Sequence, residues 1–321
     1  MSDQKIDQVI DKMVYEVNPL HYPLRQYGMD HDLYNWSMLS NRAKVQWPNN
    51  KPLAVWVNIN LEFFPLNQKG VPFKVPGGMT MPYPDLRHYS LRDYGNRVGL
   101  FRILKALDKF NITPTFAVNT ELALRTPYLV QLLKSRGNEV LCHGWNMDSL
   151  HHGKMDRADE SELISRSVNQ LRDLTDQAIT GWLSPARNQS QNTLALLAEN
   201  GIHYCADWVN DDMPYRFKQD GLWAMPLSTE LEDFYILGNN LHSEASYVEQ
   251  INDACDFLLQ EAAAQGGRIL TLNIHPWLLG QPHRIQYFEQ ILSRLSQQPI
   301  WSASASDILQ AFAVQQATVT A

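Results

Sequence analysis

Leu53-Ala-Val-Trp-Val-Asn-Ile-Asn-Leu-Glu62 is an apolar, β-branched run that stops at a carboxylate. Pro52 precedes it and a Pro/Gly-rich stretch from Pro65 to about Pro84 follows, so it reads as one buried strand ending at Glu62. Two later stretches have the same form. Val140-Leu-Cys-His143 is a short apolar strand that stops at a histidine and runs on into Gly144-Trp145-Asn146-Met147, and Arg268 to His275 is another strand that stops at a histidine.

Between these landmarks strands and helices alternate. Helical spacing covers Asn96 to Phe110, Glu121 to Arg136 (stopped by Gly137), Asp156 to Asp176, Gln191 to Asn200, Ala245 to Gln265 and Pro282 to Gln297. Further strands are predicted at Thr113 to Asn119, Ala178 to Ser184, Ile202 to Trp208 and Leu222 to Leu227. Such alternation implies an α/β fold with a mostly parallel sheet, and this many units favours closure into a barrel. Barrel active sites lie at the C-terminal ends of the strands. Glu62, His143 and His275 are therefore expected to converge on one mouth.

At 321 residues and 44% hydrophobic content the chain can bury a large core. Its net charge of -7, with both signs dispersed, argues against a nucleic-acid partner. Cys142, Cys205 and Cys255 form no CxxC pair, and an odd count cannot all pair within one chain. Cys142 and Cys205 sit in apolar strand-like segments and read as small buried hydrophobes, and the cysteine usage fits a reducing compartment. The opening Met1-Ser-Asp-Gln-Lys-Ile-Asp lacks the order of a signal peptide, and no apolar run is long enough for a bilayer. A cytoplasmic protein without a membrane partner is expected. Residues 1–50, with a weak helical pattern from Ile6 to Tyr15, read as an N-terminal extension packed on the core or on a neighbouring subunit, which suggests a homo-oligomer. Residues 51–321 read as one barrel domain. The Pro65 to Pro84 loop is long enough for a lid or binding loop.

Four segments in this order resemble the polysaccharide deacetylase superfamily, the fold of carbohydrate esterase family four, and within it the metal-independent allantoinase branch. They are Tyr94-Gly-Asn-Arg-Val-Gly99, His143-Gly-Trp145, Asn210-Asp-Asp-Met-Pro-Tyr215 and His275-Pro-Trp-Leu-Leu-Gly-Gln-Pro-His-Arg284. The resemblance implies a distorted (β/α) barrel of seven or eight strands. It places Glu62 on the catalytic-base position, Phe63 on a metal-ligand position, His143 and Met147 on the two metal histidines, and His275 on the general acid. The family's arginine before the Pro motif is out of place here, where Leu183-Ser-Pro185 is followed by Arg187; the allantoinase branch has Glu-Glu-Gly where this chain has Glu62-Phe63-Phe64.

A catalytic zinc needs three protein ligands. Phe63 has no donor atom and the Met147 thioether suits copper(I) better. His151 and His152 read as a solvated loop pair, so neither a tightly held metal nor another cofactor is expected. Phe63 and Phe64 are expected to desolvate Glu62 and raise its pKa. Trp145, Arg187 and Glu230 are candidate substrate contacts at the mouth, with Trp145 a pocket wall or a core residue. Asp211 and Asp212 read as loop-fixing residues, His242 and His283 as surface residues.

The leading expectation is a hydrolase of non-peptide carbon–nitrogen bonds acting on a small amide, ureide or N-acetylated sugar. Glu62 is the base, His143 orients water or stabilises the oxyanion, and His275 is the acid. The alternatives are a metal-dependent carbohydrate deacetylase with substitute ligands and a catalytically silent carbohydrate- or small-ligand-binding protein.

Overall fold

A computed structural model describes residues 31–68 and 85–319. The pattern at Ile6 to Tyr15 and most of the Pro65 to Pro84 loop lie outside the described residues.

Strand β1 (Leu53–Leu61) is buried along its whole length and anchors the sheet. On one edge it pairs in parallel with β8 (Arg268–Ile274), from Leu53↔Arg268 to Ile59↔Ile274. On the other, its upper half pairs with β2 (Pro114–Val118) and its lower end with β9 (Ile300–Ser302). The sheet continues through β3 (Glu139–Cys142), β4 (Gly181–Trp182), β5 (Tyr204–Cys205), β7 (Trp223–Ala224) and β6 (Tyr215–Arg216), in the order β6-β7-β5-β4-β3-β2-β1-β8. Only β6 runs antiparallel to its neighbour.

This is the distorted (β/α) barrel of deacetylases: eight strands curl along one path, and β9 adds a ninth beside β1. No ladder among the described residues joins β6 to β8, so the expected closed cylinder is an open one. The ladders of β4, β5 and β7 are two residues long. Pro185 follows close behind β4 and Pro226 behind β7, and neither can donate to a ladder.

Strand alternation sorts the side chains into two layers. On β1, Leu53, Val55, Val57, Ile59 and Leu61 face the surrounding helices and join the larger apolar core. Ala54 and Trp56 face the interior with Leu141, Tyr204, Met225 and Ile269. The interior column then turns polar, from Trp56 through Asn58 and Asn60 to Glu62, all buried. On β8 the same parity runs Ile269, Thr271, Asn273, His275. Glu62 and His275 thus cap interior columns whose lower ends are apolar.

Several helices depart from expectation. The run Glu121 to Arg136 is two helices, Thr120–Arg125 and Pro127–Arg136, because Pro127 cannot donate to the preceding turn and instead starts a new helix. Helices Leu86–Tyr94 and Ala305–Val319 had no clear sequence signal. In the segment before β1, Trp47 is buried and donates its indole N–H to the Arg268 carbonyl at 2.8 Å. The three cysteines are free and buried. No helix among the described residues is long and apolar enough to cross a membrane.

Candidate active site

Glu62, His143 and His275 line one cavity of about 90 Å³ at the C-terminal ends of the strands. Glu62 Oε1 lies 3.9 Å from His143 Nε2 and 3.7 Å from His275 Nε2, and Glu62 Oε2 accepts the Trp277 indole N–H at 3.2 Å.

Neighbouring strands hold this arrangement through side chain to backbone bonds. At the end of β2, Asn119 accepts the Phe63 N–H at 2.8 Å and donates to the His143 carbonyl, tying the exits of β1 and β3 together. Asn96 donates to the Glu62 carbonyl at 2.8 Å. Gly144 has φ 64 and no room for a side chain, since a Cβ there would lie 2.7 Å from the Pro185 ring. That turn carries the chain away just after His143. Gly95 is needed for a different reason: a Cβ would lie 2.6 Å from the Trp277 nitrogen. The Tyr94-Gly-Asn-Arg-Val-Gly99 motif is therefore a close-packing surface for the segment that carries Trp277.

The two histidines are held differently. His143 Nδ1 donates to the Leu183 carbonyl at 2.7 Å, which leaves Nε2 toward Glu62. His275 is gripped by Asp233, whose carboxylate accepts the ring Nδ1–H at 2.6 Å and the backbone N–H at 2.8 Å. Glu232 Oε1 lies 3.8 Å from His275 Nε2, and Glu232 Oε2 pairs with Arg187 at 3.1 Å. Arg187 also donates to the Leu227 carbonyl at 2.5 Å. Ala186 and Arg187 sit consecutively at φ 54 and 55, a conformation that costs a non-glycine residue roughly 1–3 kcal/mol. The Ser184 N–H, which donates to Asp207 at 2.6 Å, helps hold this turn.

Electrostatics reverse one expectation. Burial does push the Glu62 carboxyl up, but His275, His143 and Arg92 together outweigh it and bring Glu62 down to about 2. Burial likewise opposes a charge on His275, yet Asp233, Glu62 and Glu232 raise it to about 9. Asn60 Nδ2 lies 3.2 Å from His275 Nε2 but has other acceptors, the Asn273 side chain at 2.8 Å and the Ile274 carbonyl at 3.4 Å. Three carboxylates around one imidazole therefore decide its state, and the cation prevails at neutral pH.

Of the three candidate substrate contacts, Arg187 lines the cavity and Trp145 and Glu230 do not. Trp145 packs against Arg166, whose guanidinium carbon is 3.8 Å from its ring centre. Glu230 is exposed, and Glu232, two residues on, takes the place foreseen for it. His151 is no solvated loop residue. It is fully buried, with Nδ1 3.0 Å from Glu160, whose carboxylate also accepts hydroxyl bonds from Ser190 and Thr193. His152 is exposed. Sequence reasoning missed Arg92, Asn60, Asn119, Glu232 and Asp233.

The fold type implies a metal, and the donor set can be tested against one. Of the positions aligned with ligands, Phe63 turns toward Arg125 (4.7 Å) and Met147 lines the cavity with a thioether. His143 alone has a nitrogen to offer. No group of three or more His, Cys, Asp or Glu side chains among the described residues could hold a metal. The residues present do not fit a catalytic zinc.

The fold is that of the deacetylase barrel. Residues 89–205 match the polysaccharide deacetylase family model. A Schizosaccharomyces pombe protein assigned as a polysaccharide deacetylase is 22% identical over 300 residues, covering 84% of this chain and 92% of that protein. The peptidoglycan deacetylase of Helicobacter pylori is 25% identical over 143 residues, 44% of this chain and 48% of its own length. The crystal structure of the PuuE allantoinase superposes with a TM-score of 0.78 at 24% identity, covering 90% of this chain and 98% of that one.

Proposed function

We propose that this protein hydrolyses a non-peptide carbon–nitrogen bond in a small amide, ureide or N-acetyl compound, without a tightly held metal. The observation that carries the reading is the position of Glu62 Oε1 between two imidazole nitrogens, 3.9 and 3.7 Å away, at the mouth of the barrel. A water held between Glu62 and His143 Nε2 donates a hydrogen bond to the Glu62 carboxylate and presents its oxygen to a carbonyl carbon.

As the water oxygen bonds to that carbon, one proton passes to Glu62. His275 Nε2 gives its proton to the leaving nitrogen as the carbon–nitrogen bond breaks. The products are an amine and a carboxylic acid, and Glu62 and His275 reset by returning one proton between them. The deacetylase relatives support an N-acetyl substrate and the allantoinase likeness a ureide.

The test is a panel of N-acetyl sugars, ureides and simple amides, assayed with protein purified without added metal. Turnover that withstands chelation and disappears in Glu62→Gln, with the melting curve kept, is the expected result. Wild-type turnover in Glu62→Gln, or stoichiometric zinc whose removal stops the reaction, overturns the reading.

A further inference from the structure

Arg92 reaches the cavity from helix Leu86–Tyr94 and is 5% exposed. Its guanidinium carbon lies 4.0 Å from the centre of the Trp277 ring system, 4.5 Å from Phe64 and 5.7 Å from Phe234. Aromatic faces hold the plane of the fork while leaving its N–H groups unused. Among the described residues the Arg92 side chain makes no hydrogen bond or ion pair, and its Nε is buried without an acceptor. Arg268, equally buried, shows the usual alternative: it donates to Glu261, Gln265 and the carbonyls of Gly266 and Gly267.

A buried guanidinium whose donors are unspent is expensive to keep. Balancing Glu62 through space is the plain explanation for it. That explanation leaves every Arg92 hydrogen bond unmade, and Glu62 already has nearer partners in Trp277, His275 and His143. A two-toothed anion in the cavity would use the fork fully.

We propose that Arg92 anchors a carboxylate borne by the substrate, separate from the scissile carbonyl, so that the site takes small N-acyl or N-carbamoyl amino acids. This rests on the hydrolase reading only for where the scissile bond lies. The aromatic walls exclude water from the ion pair, and the small cavity keeps the spacer between carboxylate and amide short.

The experiment measures calorimetric binding of N-acetyl and N-carbamoyl amino acids, each against its neutral carboxamide, to the full chain. The acid is expected to bind at least about tenfold tighter than its amide. Arg92→Gln, checked for fold by circular dichroism, should erase that preference, and Arg92→Lys, which keeps the charge without the fork, should retain part of it. Should Arg92→Gln fail to fold, the wild-type comparison and the Lys variant still decide. An acid that binds no tighter than its amide to the wild type, including one that does not bind at all, overturns the proposal. So does a preference that survives in Arg92→Gln, or, with a turned-over acid, a loss in kcat at unchanged KM, which marks oxyanion stabilisation. Acids bound with the expected preference but never hydrolysed sink the hydrolase reading and leave this one standing.

Discussion

Asp233→Asn tests the electrostatic design of the site directly. His275 is held at about 9 against an ordinary value of 6.5, with burial pulling the other way. Asp233 is the largest of the groups that raise it and touches both the ring and the backbone N–H. At 1.36 kcal/mol per pH unit, the interval from 6.5 to 9 corresponds to about 3 kcal/mol favouring the imidazolium. At pH 7 the wild-type ring is then about 99% protonated. Removing the Asp233 charge should carry the titration most of the way back to 6.5, or below it because burial remains, leaving about a quarter or less protonated. Long-range proton–nitrogen NMR on imidazole-labelled protein reads this without a substrate. Where turnover is available, the alkaline limb of kcat/KM should move to lower pH with it. Stability follows the same sign: a raised histidine contributes fully below about 6.5 and loses its contribution as pH rises through about 9. A wild-type His275 that titrates near 6.5, or one that Asp233→Asn leaves unmoved, refutes the reasoning.

Two further variants separate structural from catalytic groups. Glu160→Ala leaves buried His151 and the hydroxyls of Ser190 and Thr193 without their acceptor, and should lower stability by about 3–5 kcal/mol in urea unfolding. Its activity per folded molecule should stay near wild type, and an altered metal content would instead make His151 a ligand. Asn119→Ala removes the tie between the Phe63 N–H and the His143 carbonyl, at about 1–3 kcal/mol for each group left unsatisfied. Here kcat should fall by more than the unfolded fraction explains, and a fall tracking stability alone argues against a positioning role.

The strand ends were legible because an ionisable residue closing an apolar run contradicts its own surroundings. Glu62, His143 and His275 stand out for that reason, and interior parity brings them together. The second tier was hidden by the same logic. Helix Leu86–Tyr94 buries His88 and Arg92 and leaves Leu86 63% exposed, so a search for an apolar face looks at the wrong side. In Thr229-Glu230-Leu231-Glu232-Asp233 three acids lie close together, and nothing local distinguishes the exposed one from the two that reach His275. His151 beside His152 reads as polar loop until Glu160, nine residues on, packs against it. Trp145 followed a site histidine in sequence, but the left-handed turn at Gly144 redirects the chain after His143.

A carboxylate brought down to about 2 is a poor base by itself, and that is the strongest objection to Glu62 in that role. The objection treats as fixed a value that the reaction changes. Among the groups that lower Glu62, His275 comes first, and its lowering effect depends on the imidazolium charge. When His275 passes its proton to the leaving nitrogen, that field vanishes while burial, the largest influence on Glu62 and one that raises it, remains. Glu62 therefore becomes more basic in the same step that His275 acts as acid, and the proton from water is held most firmly after the carbon–nitrogen bond has begun to break. The two groups titrate as a coupled pair, so neither limb of a pH profile belongs to one residue alone. Glu62→Gln must then lower the His275 titration as well as stop turnover, because it removes one of the charges that hold His275 near 9. A variant that stops turnover and leaves His275 where it was would break the coupling on which this mechanism depends.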